Sequence, residues 1–237
     1  MRRHRVHVGD LAAGERRLVG PAAHHLARVL RVQPGDLVAA FDGRGREARG
    51  EVVAAHEDAV VLRLEAPGPV ATEPDRPVTL APALLKGDKL ADVVRMATEL
   101  GVVALRPLRT RRCDVPVASP AKLARWRRIA EEAARQCGRA RVPEVAEAVA
   151  LASFTWTGAL LVADPNAHAT LQDALAALSE RDAPVTVVTG PEGGLAEAEV
   201  ADLVARGAVA VTLGRRVLRA ETAPVAVAAA LLVPEAT

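Results

Sequence analysis

Short runs in which apolar and polar residues alternate open the chain: "RVHV" at 5–8, "LVAAFD" at 37–42, "EARGEVVAAH" at 47–56 and "AVVLRLEA" at 59–66. Such a period suits half-buried strands. "DGRG" at 42–45 supplies a hairpin turn and "QPGD" at 33–36 a second tight turn. Ahead of both, "PAAHHLARVLR" at 21–31 predicts one helix that starts on a proline. At 65–77 the pattern stops in "EAPGPVATEPDRP", whose four prolines and few packable side chains read as a linker.

Beyond the linker, strand and helix patterns take turns. The strands are "VTLAPALL", "VVALRPL", "ALLVAD", "PVTVVTG" and "AVAVTLG". The helices are "GDKLADVVRMATELG", "SPAKLARWRRIAEEAARQCGR", "TLQDALAALSE", "LAEAEVADLVARG" and a last one from about Thr222. Asp88 and Gly101 bracket the first of these helices; Ser119 and Pro120 start the second, whose apolar stripe is Leu123, Trp126, Ile129/Ala130 and Ala133. This alternation predicts an α/β fold with a parallel sheet covered by helices, preceded by a small β-rich barrel or sandwich. The expected division is residues 1–70, a linker at 71–77, and residues 78–237. Ligands of such sheets bind at the carboxyl ends of the strands, where "TGPEGG" and "LGRRVLRAET" fall.

Composition narrows the function classes. Half of the 237 residues are hydrophobic and a quarter charged, the globular range. The basic N-terminus has no apolar stretch after it, so no signal peptide is expected, and the longest apolar run, 223–233, is too short for a membrane span. Cys113 and Cys137 are far apart, which suits a reducing, cytoplasmic setting and no zinc site. With no His/Cys cluster, no metal is expected. The net charge of +2 hides segregation. Residues 1–50 carry ten Arg against five acids, and residues 101–150 ten Arg and one Lys against five acids. Clustered Arg marks either a nucleic-acid face or ordinary solvated surfaces. Four aromatic residues in all argue against binding single strands by base stacking.

The glycine-rich turn "VVTGPEGGLAEAEV" at 187–200 follows a strand and precedes a helix. Such a turn often holds phosphate. Here no dinucleotide or Walker pattern occurs, Glu192 stands where an anion would sit, and no Lys or Arg flanks it in sequence. A neutral or cationic ligand on backbone amides and carbonyls fits better. The second loop brings Arg215, Arg216, Arg219 and Glu221 to the same sheet edge, and a helical turn would set Arg216 and Arg219 on one face.

"TGPEGGL" followed by "LGRRVLRAETA", with "KGDKLADVVRMATELGV" at 86–102 and "RWRRIAEEAARQCGR" at 125–139, resembles the knotted SPOUT class of RNA methyltransferases. Within it, the chain is similar to the 16S rRNA uridine-N3 methyltransferase family, RsmE. Gly190, Glu192, Gly193, Gly194, Arg216, Arg219, Glu221 and Thr222 match; Arg215, Ala220, Met96 and Cys137 depart from the usual proline, threonine, lysine and serine. The resemblance implies a PUA-like RNA-binding barrel, a SPOUT α/β domain with a trefoil knot at about 187–233, and a homodimer acting without a metal or a membrane. It implies S-adenosylmethionine as cofactor, the small ribosomal subunit as partner, and uridine 1498 of 16S rRNA as target. Expected cofactor contacts are Thr189, Gly190, Pro191, Glu192, Gly193, Gly194, Leu213, Gly214, Val217 and Leu218. Arg219 is expected to hold charge developing on a uracil oxygen, and Glu221 to position it or take the proton. RNA contacts are expected from Arg2, Arg5, Arg28, Arg31, Arg109, Arg111, Arg112 and Arg216. The alternatives are a ribose 2′-O-methyltransferase of the same class and a non-catalytic RNA-binding assembly factor.

Overall fold

The structure is a computed structural model that describes residues 4–116, 118–178 and 182–233; Arg2 and the end of the helix expected at 170–180 lie outside them. The chain divides into two compact units, Met1–Glu73 with Glu131–Val142, and Pro74–Ala130 with Pro143–Thr237.

The first unit is built on a mixed sheet. Its strands are β1 (His4–His7), β2 (Gly14–Val19), β3 (Leu37–Phe41), β4 (Arg46–Ala55), β5 (Ala59–Leu64) and the short β6 (Gly68–Pro69). Their order is β1-β3-β4-β5-β2, with β6 on β4. β1 runs parallel to β3 and the other pairs are antiparallel. The β3–β4 hairpin closes at Phe41↔Glu47. The Asp42 carboxylate accepts the N–H groups of Arg44 and Arg46, and Gly43 takes φ 72 in the turn. Val6, Leu26, Val38, Val52 and Leu62 form the core under the sheet.

Two local expectations change here. The helix expected over 21–31 is α1 (Gly20–His24) followed by a wider π-type turn over His25–Val29, with the Leu30 N–H donating to the His25 carbonyl. It stops because Arg31 sits in the left-handed region at φ 54. β2, "GERRLV", does not stand out in the sequence because its middle is Arg16 and Arg17. It is an edge strand, and charges there guard against edge-to-edge pairing.

The second unit is α/β. Its elements are β7 (Val78–Pro82), α2 (Lys89–Leu100), β8 (Ala104–Leu105), β9 (Leu108–Arg109), α3 (Pro120–Cys137), β10 (Glu144–Val145), β11 (Val149–Ala150), β12 (Ala159–Ala163), β13 (Ala169–Thr170), α4 (Leu171–Ala176), β14 (Val185–Thr189), α5 (Glu197–Ala205), β15 (Val209–Thr212) and α6 (Thr222–Leu232). The last turns of α3 belong to the first unit. The main sheet runs β10-β8-β7-β14-β12-β15-β13, every pair parallel. The central strands are buried on both faces, all five residues of β14 among them, as a sheet sandwiched by helices requires. α2 buries Leu90, Val93, Val94 and Ala97 and packs on α6; it ends at Gly101 in the left-handed conformation, φ 107. The strand expected over 102–108 is broken at Pro107, which has no N–H to donate. β8 stays in the main sheet and β9 pairs with β11. α4 is short but capped at both ends of a box, Thr170 and Asp173 satisfying each other's backbone N–H.

Candidate functional site

β14 and β15 flank β12, so the segments leaving their carboxyl ends share one edge. Together they wall a cavity of about 570 Å³. Its lining comes from 163–166 at the end of β12, 189–195 at the end of β14, and 212–214 and 216–221 at the end of β15, with Lys89, Arg112 and Ala223 added from helices and loops nearby. The structure thus brings together all ten residues expected to meet the cofactor, along with Arg216, Arg219 and Glu221.

The 189–195 loop is a tight backbone cradle. The Gly194 N–H donates to the Pro191 carbonyl at 2.8 Å and Gly194 takes φ 70. A Cβ on Gly190 would lie 2.8 Å from the Leu195 backbone nitrogen, so no side chain fits there without moving backbone. The hydroxyl of Thr189, on a residue 1% exposed, is buried without a hydrogen-bond partner. An orphaned polar atom lining a cavity is a place for a ligand to bond.

Two distant side chains pin this loop. Lys89, in the first turn of α2, donates to Glu192 Oε1 at 2.9 Å, and the Lys86 backbone N–H donates to the same oxygen at 3.2 Å. Arg112 Nη1 donates to the carbonyls of Gly193 and Leu195 at 2.9 and 3.2 Å. Glu199, in α5, accepts the N–H groups of Arg111 and Ala196. Burial pushes the Glu192 carboxyl up, but the Lys89 ammonium and backbone N–H groups outweigh it and hold the carboxyl below its ordinary range. Lys89 is raised, first by its bond to Glu192 and then by Glu221. Glu192 has no basic neighbour in sequence, yet in space it has Lys89.

The second loop is irregular and exposed over 214–217. The expected helical turn joining Arg216 and Arg219 is absent; helical bonding begins only at Arg219, whose carbonyl accepts from Thr222 and Ala223. Arg216 and Arg219 are both exposed at the cavity rim. Glu221 is the N-cap residue of α6 and makes an ion pair with Lys89 at 3.4 Å.

The arginines expected to meet RNA divide. Arg5 is committed inside its own unit: it is paired with Glu47, donates to the Arg139 carbonyl and lies over Phe41, so it is not free for phosphate. Arg112 clamps the glycine loop instead. Arg28 pairs with Glu57 at 2.8 Å on the surface, and Arg31, Arg109 and Arg111 are exposed. Sequence reasoning missed Lys89 as well as Asp164 and Asn166, the latter two set by an Asx turn after β12. For Lys89 a signal existed: it opens the helix that follows the carboxyl end of β7, the same edge of the same sheet. Among the described residues, no group of His, Cys, Asp and Glu is placed to hold a metal, and no helix is long and apolar enough to cross a membrane.

Residues 72–232 match the family model of an RNA methyltransferase domain, and residues 19–65 that of an RNA methyltransferase PUA domain. Over 207 residues the chain is 37% identical to the ribosomal RNA small subunit methyltransferase E of Synechocystis sp., covering 85% of this chain and 67% of that protein. It is 32% identical over 219 residues to the Bacillus subtilis protein of the same name, covering 87% and 85%. The crystal structure of ribosomal RNA small subunit methyltransferase E from Neisseria gonorrhoeae, bound to S-adenosyl methionine, superposes with a TM-score of 0.87 at 27% identity and 98% coverage of both chains.

Proposed function

The chain belongs to the family of ribosomal RNA small subunit methyltransferase E, and from that premise we propose that it methylates N3 of one uridine in 16S rRNA, with S-adenosylmethionine held between its two loops. The observation that carries this is the cavity at the carboxyl ends of β12, β14 and β15, where a glycine cradle faces two exposed arginines.

The residues fit that cofactor. The orphaned Thr189 hydroxyl and the cradle at Gly190 offer hydrogen-bonding and close backbone approach to an adenosine or amino-acid group. Glu192 and Glu221 place negative charge where a sulfonium is welcome. When bound, the cofactor supplies a methyl carbon whose bonding electrons return to sulfur, leaving a neutral thioether. Thr189–Gly194 hold it on one side, and Leu213, Gly214, Val217 and Leu218 on the other.

Uracil N3 carries a proton at neutral pH, so the protein must remove it or stabilise the anion that remains. Arg219, fixed by its carbonyl to the start of α6 and exposed to the cavity, holds the charge that develops on a uracil oxygen. Glu221, two residues on, orients that arginine or accepts the proton. Arg216 faces the rRNA, with Arg28, Arg31, Arg109 and Arg111 adding phosphate contacts whose strength falls with salt. Residues 1–70 serve as the RNA-binding domain and 78–237 as the catalytic one. By its resemblance to the SPOUT class, the chain is threaded into a knot at about 187–233. Val217 is 81% exposed at the cavity rim, the kind of apolar side chain a second copy of the chain covers in a homodimer. The enzyme works in the cytoplasm, where its substrate is.

The test is one reaction: labelled S-adenosylmethionine, small ribosomal subunits from a strain lacking this enzyme, and identification of the modified nucleoside by mass spectrometry. Label in 3-methyluridine is expected. Label in a 2′-O-methyl nucleoside would overturn the base chemistry, and no label on subunits, free rRNA or tRNA would overturn the enzyme reading.

A further inference from the structure

Lys89 is the one residue of α2 that lines the cavity, and the glycine and arginine motifs do not include it. Its ammonium is 2.9 Å from Glu192 Oε1 and 3.4 Å from Glu221 Oε2. Three segments far apart in sequence therefore meet on one nitrogen: the first turn of α2, the loop after β14 and the N-cap of α6. We propose that Lys89 is a positioning residue for methyl transfer, its single ammonium tying the loop that carries Glu192 to the loop that carries Arg219.

The backbone shows how the tie acts. Arg219 and Glu221 sit in one turn, because the Arg219 carbonyl accepts the N–H groups of Thr222 and Ala223. Holding the Glu221 carboxylate against Lys89 therefore limits where Arg219 can go. On the other side, Glu192 is fixed by Lys89 together with the Lys86 N–H, so the start of α2 serves as the reference for both loops. Remove the ammonium and two carboxylates face each other, which repels the loops apart. Lysine suits this place: a compact charge with three donors meets two carboxylates from different directions, whereas the planar fork of arginine matches one.

The three side chains, 23–34% exposed, line the cavity and tie loops rather than the sheet core, so their loss loosens the loops more than it unfolds the fold. Stability and rate can then be separated by experiment. The inference rests on the methyl-transfer reading, since the position of Arg219 matters only if Arg219 meets the reacting base.

Lys89→Met and Lys89→Arg are compared with the wild type in the full chain by thermal unfolding, by calorimetric titration with S-adenosylmethionine, and by kcat and KM on small ribosomal subunits. For Lys89→Met, unfolding is expected within a few degrees of wild type, while kcat at saturating cofactor falls about 10- to 100-fold, the effect of a misplaced group. KM for the subunits stays within about twofold, because the phosphate contacts are elsewhere. Lys89→Arg recovers part of kcat. In a Glu221→Gln background, Lys89→Met lowers kcat by less than about twofold, since the tie is already cut. A Lys89→Met enzyme with wild-type kcat, or one whose kcat falls equally in both backgrounds, would overturn the proposal. Lys89→Met that binds cofactor normally yet has raised KM alone would also overturn it. Failure of the underlying reading is distinct: the wild type itself would then transfer no methyl group.

Discussion

The 189–195 loop and the 213–221 loop leave strands on either side of β12 and wall the same cavity, but they are held differently. The first is gripped by Lys89, Lys86 and Arg112, and its tight turn leaves no space for a side chain at Gly190. The second is exposed along 214–217 and is anchored at its far end, where Arg219 and Glu221 open α6. A pinned backbone is suited to a small ligand bound the same way each time, with little ordering cost on binding. An exposed, arginine-bearing segment is suited to a large substrate that must be admitted and then met by charge.

The sharpest way to break this contrast is Arg219→Ala. With the cofactor cradle intact, S-adenosylmethionine affinity stays near wild type while kcat drops about 100- to 1,000-fold, as loss of one charge-stabilising group does. Equal losses of affinity and rate would show that the exposed loop is needed mainly to hold the cofactor. Next in size is Gly190→Ala, which forces a Cβ to within 2.8 Å of the Leu195 nitrogen. Cofactor affinity is expected to fall by about tenfold or more by calorimetry, the cost of displacing a close-fitting backbone.

Arg112→Ala removes two hydrogen bonds to loop carbonyls and sharpens the account of the pins. At about 1 kcal/mol or a little more, cofactor affinity weakens several-fold and kcat at saturation is kept. Lost rRNA affinity with unchanged cofactor binding would return Arg112 to the RNA face. The smallest effect concerns pH. Glu192 lies below its ordinary 4.5 and Lys89 above its ordinary 10.5. The contribution of Glu192 is present above its unfolded value and lost only as pH falls through the lower folded one. That of Lys89 is present below its unfolded value and lost only as pH rises through the higher folded one. Cofactor affinity is therefore expected to show no step from this pair between about pH 6 and 9. A step removed by Glu192→Gln would mean that the pin is not ionic at neutral pH.

The same contrast separates what the sequence makes legible from what it hides. The parallel sheet could be read because β7, β12, β14 and β15 are apolar runs divided by helices, a local pattern. The glycine cradle could be read for a similar reason: its residues are consecutive. β2 escaped notice because Arg16 and Arg17 hide an edge strand, and the strand at 102–108 could not be continuous through Pro107. The pins were hidden because they are tertiary. Lys89 and Arg112 are separated from their partners by 103 and 81 residues, and no spacing rule links them. Arg5 counted toward a basic surface in the sequence, but folding gives it Glu47 and the Arg139 carbonyl. A charge tally sees residues, not their partners.

The most direct measurement is hydrogen exchange of the backbone amides with and without S-adenosylmethionine. In the free protein, residues 189–195 should exchange slowly and 213–220 quickly. Adding cofactor should slow both segments and the 164–166 turn, 213–220 by the larger factor because 189–195 is already pinned. Cofactor-induced protection elsewhere in the chain, or none at these segments, would contradict the placement of the methyl donor between the two loops.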